Sequence, residues 1–227
     1  PDCVNETIRK LTEELNSIQL HGYTSAQGDL ECRQATADYL NRTYGTHFHA
    51  DNFYMTMGAA ASLSICFKAL TTDCDDEFIT IAPFFPEYRV FVESAGAKLV
   101  VIPPDTSNFQ IDFDALEKSL TPHTKGVIIN SPNNPSGAVY SAETIAHLAE
   151  ILRKKSVEFG TEIFILSDEP YREIAYDGVE VPYVTEFYDN TLVCYSYSKS
   201  LSLPGERIGY VLVPDEAYES KKVYAAV

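Results

Sequence analysis

The stretch Leu192-Val193-Cys194-Tyr195-Ser196-Tyr197-Ser198-Lys199-Ser200 decides the fold: four apolar residues run directly into hydroxyl side chains around one lysine. Six further short apolar runs share the pattern, at Phe53–Met57, Phe78–Ile81, Leu99–Ile102, Gly126–Ile129, Ile163–Leu166 and Tyr210–Val213. Runs of this length, rich in Val and Ile and bounded by Pro, Gly, Asp or Ser, suit strands buried on both faces of a mainly parallel sheet. Helical spacing fills the gaps. Leu30, Ala35, Ala37 and Leu40 mark a helix over 29–44, a shorter one fits 112–120, and Ile145, Leu148, Ile151 and Leu152 mark one over 141–159. Ser141 offers that last helix a start and Gly160 a stop. Strands alternating with helices predict an α/β domain of three layers, α/β/α, around a mainly parallel seven-stranded sheet.

Open α/β sheets bind ligands beyond the carboxyl ends of their strands, and the unusual polar residues of this chain follow its apolar runs. Lys199 comes after Leu192–Tyr195, with Arg207 eight residues on. A lysine amine attacks an aldehyde only when deprotonated, which calls for a partly dry, cation-rich site, and an arginine fork suits phosphate oxygens. The same segment also reads as an ordinary surface lysine in a Ser-rich turn. Asp168 follows a fully apolar run, so its carboxylate is poorly solvated and favours a cationic partner, although Asp before Glu169-Pro170-Tyr171 also suits a helix N-cap. Gly58-Ala59-Ala60-Ala61 starts a helix whose free N–H groups and dipole suit a phosphate, or simply a tightly packed helix start. Every residue of Asn133-Asn134-Pro135-Ser136-Gly137 favours a turn.

Composition narrows the partners. The 227 residues are 45% hydrophobic and 12% aromatic, enough for one domain with a sizeable core. A net charge of −16, from 33 acidic against 17 basic residues, disfavours nucleic acid and anionic lipid as partners. No apolar stretch approaches bilayer length and no leader pattern opens the chain, so neither a membrane nor a targeting role is expected. Cys3, Cys32, Cys66, Cys74 and Cys194 are odd in number and lack a Cys-x-x-Cys pair, as expected of free thiols in a reducing cytoplasm. His47 and His49 would share one face of a strand, but without a third ligand type nearby no metal site is expected. Asn5 and Asn41 fit the glycosylation pattern and, with no secretory signal, are read as chance matches.

Four motifs, Met57–Leu63, Ser131–Gly137, Ser167–Tyr171 and Ser196–Tyr210, resemble in content, order and separation those of the fold-type I, pyridoxal-phosphate-dependent aminotransferases of class I/II, the likeness being nearest to the aspartate and aromatic aminotransferases. The resemblance runs from about Tyr23 to Val213. It implies pyridoxal 5′-phosphate as cofactor, amino acid and 2-oxo acid substrates, and Lys199 as the Schiff-base lysine that also shuttles a proton. It implies Asp168 against the pyridine nitrogen, and Tyr171 with Asn134 against the phenolic oxygen. By the same likeness Phe85, in Pro83-Phe84-Phe85-Pro86-Glu87-Tyr88, stacks on the ring. Ala59, Ala60, Ser196 and Arg207 fall at the phosphate, joined by Tyr23 from the partner subunit of a homodimer. Ser136 stands where the family usually has Thr, and the alanines where it often has Ser or Thr, which leaves more of the phosphate to backbone donors.

No residue matches the family's arginine for the substrate carboxylate, and the chain begins at Pro1 without methionine. The expectation is therefore a cofactor-binding large domain over 1–227, with an N-terminal arm and a small C-terminal domain outside it. A pyridoxal-phosphate-dependent lyase or decarboxylase is the alternative enzyme, because one cofactor cradle serves several bond cleavages. A non-catalytic aminotransferase-like sensor domain is the alternative outside enzymes.

Overall fold

All seven apolar runs form strands of one sheet in a computed structural model that describes residues 2–227. The strands are β1 (Phe53–Thr56), β2 (Glu77–Ile81), β3 (Lys98–Ile102), β4 (Thr124–Asn130), β5 (Phe164–Asp168), β6 (Thr191–Ser196) and β7 (Gly209–Leu212). Their order is β1-β7-β6-β5-β4-β2-β3. Only β7 runs against its neighbours β1 and β6, so the sheet is mainly parallel, as its double-sided apolar strands require.

The helices are α1 (Asp2–Glu14), α2 (Ser17–His21), α3 (Leu30–Tyr44), α4 (Ala59–Leu70), α5 (Glu87–Ala95), α6 (Phe113–Ser119), α7 (Ala142–Phe159), α8 (Tyr197–Ser200) and α9 (Ser220–Ala226). Their ends are written locally. Asp29, Asp112 and Ser141 each accept an N-cap bond from the backbone, and Gly45 and Gly160 close α3 and α7 in the left-handed conformation.

Side chains alternate across the sheet. Val127, Ile129, Ile163 and Ile165 face Ile145, Leu148 and Leu152 of α7, whereas Ile128, Phe164, Leu166 and Cys194 face Leu63, Cys66 and Phe67 of α4 and Val92 of α5. A third cluster joins Ala37 and Leu40 of α3 to Phe53, Val193, Tyr195 and Tyr210. The result is the expected three-layer α/β/α arrangement, and each fully buried Ile or Leu contributes about 1.5–3 kcal/mol relative to exposure.

One detail departs from the sequence reading. Residues 45–49 form no strand; His47 and His49 lie in an irregular turn, where His49 Nε2 meets Asp215 Oδ2 at 2.9 Å. The side chain of Asn41 shapes that turn, donating to Phe48 O at 2.8 Å and accepting from Phe48 N at 2.8 Å. An amide used in this way competes with the glycan that its sequence pattern allows.

Candidate active site

The register of the central strands builds the site. Asn130 ends β4 opposite Asp168, and Asp168 lies opposite Cys194 near the end of β6, so the carboxyl ends of three parallel strands meet in one row. Asn130 ties the row together: its Nδ2 donates to Asp168 O at 2.8 Å and its Oδ1 accepts from Asn134 N at 2.7 Å. Beyond that row opens a cavity of about 300 Å³. Ala59, Ala60, Phe85, Asn134, Asp168, Tyr171, Ser196, Lys199 and Arg207 all line it. Of the residues expected at the site from sequence, only Tyr23 lies elsewhere, fully exposed on the surface.

Asp168 is no helix cap. It is the last residue of β5, it is buried, and its Oδ2 accepts from the Tyr88 hydroxyl at 2.5 Å. Its Oδ1 is buried with no hydrogen-bond partner. Burial lifts the carboxyl from 3.8 to about 7, the Tyr88 bond pulling the other way and the nearby Glu169 charge adding to the rise. A buried carboxylate oxygen without a partner is an unfilled acceptor position, here on a residue that lines the cavity.

Asn133 and Asn134 divide two tasks. Asn133 makes the turn, its Oδ1 accepting from Ser136 N at 3.1 Å and Ser136 Oγ at 2.8 Å. Asn134 points its amide at the Tyr171 hydroxyl, 3.3 Å away. Burial first and the Asp168 charge second raise the Tyr171 pKa, opposed by the Asn134 bond.

The cavity is also lined by the start of α4, Lys199 and Arg207. Gly58 caps α4 with no side-chain bond, which leaves the first N–H groups of the helix free. Its φ of 94° favours glycine, and a Cβ there would lie 2.9 Å from Arg207 Nη2. A Cβ on Gly209 would meet Gly58 Cα at 2.8 Å and Tyr195 O, so two glycines let β7 and the α4 entry touch. Arg207 itself has a φ of 54°, a strained conformation for arginine, and donates through Nη1 to Pro204 O at 2.8 Å and through Nη2 to Met57 O at 3.3 Å. Ser196 Oγ donates to Ser198 Oγ at 2.8 Å, and Arg207 Nη1 reaches Ser198 Oγ at 3.5 Å. Lys199 stands exposed on α8 three residues beyond Ser196, and among the described residues no ion pair engages it.

Sequence reading missed Tyr88, Asn130 and Ser198. Tyr88 sat in the quoted Pro83–Tyr88 motif and Ser198 in the lysine segment, so position within a motif was the available signal; Asn130, closing an apolar strand, offered its polarity alone.

Comparison with known proteins gives the family to which this fold and cavity belong. The chain belongs to the aminotransferase class I and II family, whose model matches residues 1–225. It is 70% identical to an amino transferase from Eubacterium rectale of known crystal structure, with a TM-score of 0.98 over 100% of this chain and 57% of that one. Aspartate aminotransferase from Thermus thermophilus, solved with maleate, aligns at 29% identity and a TM-score of 0.86 over 99% of this chain and 56% of its own. A probable N-acetyl-LL-diaminopimelate aminotransferase from Bacillus subtilis is 31% identical over 95% of this chain and 52% of its own length. The chain thus spans about half the length of the relatives it matches. Among the described residues no helix is long and apolar enough to cross a membrane.

Proposed function

We propose that this chain is the cofactor-binding large domain of a pyridoxal-phosphate-dependent aminotransferase, one that moves an α-amino group between an amino acid and a 2-oxo acid. The observation that carries the reading is the buried, unpartnered Oδ1 of Asp168, a residue that lines one cavity together with Lys199, Arg207 and the first residues of α4. Pyridoxal 5′-phosphate supplies an aldehyde that takes amines covalently and a ring that withdraws electrons from the α-carbon. The residues present suit its three ends.

Asp168 accepts a proton-bearing ring nitrogen, and its poorly solvated carboxylate keeps that nitrogen charged. Tyr171 and Asn134 donate to the phenolic oxygen, and Phe85 packs against the ring face. The Ala59 and Ala60 N–H groups, Ser196 and Arg207 hold the phosphate. Lys199 would hold the cofactor through its amine and, when free, would serve as the general base and acid that moves a proton at the substrate α-carbon. Tyr23, exposed on the surface, serves the phosphate of a second subunit in a homodimer. Free cysteines and the absence of disulfides among the described residues support a cytoplasmic setting.

The direct test is to add pyridoxal phosphate, reduce with borohydride and map the modified peptide. Label on Lys199 is expected, with Lys199→Ala losing the yellow colour and at least about 10⁴-fold in turnover. Label spread over surface lysines, unchanged in the variant, rules the site out.

A further inference from the structure

The Asp168 carboxyl has two oxygens in unlike surroundings, and one residue outside the expected set makes them so. Tyr88, on the first turn of α5, is buried and donates its hydroxyl to Oδ2 at 2.5 Å, while Oδ1 has no partner. The tyrosine ring is held on two sides by its own segment. Phe84 lies parallel to it at 6.3 Å and 13°, and Phe85 meets it edge-on at 5.7 Å and 75°. Phe85 also lines the cavity. One six-residue stretch, Pro83–Tyr88, thus reaches both the cavity wall and the carboxylate behind it.

We propose that Tyr88 is a positioning residue of this site: its hydroxyl pins Oδ2 of Asp168, so that Oδ1 alone is presented to the cavity as acceptor for the ring nitrogen. The inference rests on the pyridoxal phosphate reading and adds to it the group that orients the nitrogen's partner. Among the described residues no other side chain packed beside this carboxylate donates to it. Glu169 is committed to Arg172 at 2.6 Å, Cys194 from β6 is a buried thiol, and Tyr171 from the following turn meets Asn134. Asn130 of β4 donates to the Asp168 main-chain oxygen and not to its carboxylate. Tyr88 is consequently the single side-chain donor to this carboxylate among the described residues. A hydrogen bond to the charged form favours ionisation, so the hydroxyl both aims the group and counters the rise that burial imposes.

The test compares two ligands in the intact protein, pyridoxal phosphate and its analogue with CH in place of the ring nitrogen. The native protein is expected to prefer the nitrogen-bearing ligand, and Tyr88→Phe to cut that preference by about tenfold, since a charged hydrogen bond of this kind moves a carboxyl by on the order of one pH unit or more. Equal weakening of both ligands, or an unchanged preference, overturns the inference and leaves Tyr88 as packing. A native protein without any preference overturns the cofactor reading as well. In the cofactor-free protein, isotope-edited infrared spectra of labelled aspartate, assigned with Asp168→Asn, should show the Asp168 midpoint rising in Tyr88→Phe. If that variant fails to fold, 3-fluorotyrosine at position 88, a stronger donor of nearly equal size, should lower the midpoint instead. A midpoint that ignores the donor sinks the proposal.

Discussion

Asp168 and Glu169 are chain neighbours, both carboxylic acids and both buried, at 6% and 1% exposure, yet the fold treats them oppositely. Glu169 is saturated. Its Oε2 meets Arg172 Nε at 2.7 Å and Nη2 at 2.6 Å, and its Oε1 accepts from Ser167 Oγ at 2.7 Å. Arg172 in turn donates to Val181 O and Pro182 O and lies over the rings of Tyr183 and Tyr44, at 4.7 and 5.2 Å. Burial works against the Arg172 charge, but the Glu169 carboxylate outweighs it and the net shift of the guanidinium is upward. Asp168 has one neutral donor and one bare oxygen. A buried charge completed on all sides is a structural tie, whereas one left open toward a cavity is a place for a ligand.

Breaking the completed side should cost most in stability. Glu169→Gln leaves the Arg172 guanidinium buried without its counter-charge, and removing one member of such a pair costs about 3–5 kcal/mol. Denaturant unfolding should show that loss, with cofactor affinity falling only as far as unfolding requires. A change under about 1 kcal/mol would mean the pair is not the tie described.

Asp168→Asn should do the reverse. In the native protein this carboxyl titrates at about 7 when folded, above the ordinary 3.8, so the folded state holds one more proton than the unfolded state between those values. Stability contributed by that proton is present below the lower value and is lost as pH rises through the window, on the order of a few kcal/mol in all. The variant has nothing to titrate. Without cofactor its melting temperature should therefore exceed the native one at pH 8 and converge toward it at pH 4, while its affinity for pyridoxal phosphate falls. A native melting profile that Asp168→Asn leaves unaltered in shape would contradict the open, poorly solvated carboxylate.

The smallest effect belongs to the rim of the cavity. Tyr171 is only part-buried and its bond to Asn134 is long at 3.3 Å, so Tyr171→Phe should change folding stability by about 1 kcal/mol or less. Its expected signature is roughly a tenfold loss in turnover, read from initial rates, as one donor to a developing charge is removed. A stability loss as large as that of Glu169→Gln would move Tyr171 from the open side of the comparison to the closed one.

Much of this was legible before any coordinates. The seven runs became seven strands, and Ser141 and Gly160 marked the ends of α7, because caps and strand patterns depend on residues a few positions apart. Lys199, Asp168 and Asn134 could be singled out because each follows an apolar run, and parallel strands deliver such residues to one edge, while Arg207 was marked by its spacing from Lys199. Asp168 had two readings, cap or ligand partner, and nothing local separated them. The Tyr88 hydroxyl, eighty residues earlier, did. His47 and His49 were misjudged for a similar reason: Asn41 pulls 46–48 into a turn where a strand pattern alone had seemed possible.

By itself, the order of residues determined strand count, helix limits and the set of polar groups sent to one edge of the sheet, since hydrophobic periodicity and capping act over a few residues at a time. Only the tertiary structure decided that Glu169 is neutralised by Arg172 while Asp168 keeps a bare oxygen and shares a cavity with Lys199 and Arg207. Solvation and charge pairing are set by what packs around a group in space, and Tyr88, Asn130 and Gly209 reach those positions from distant points on the chain.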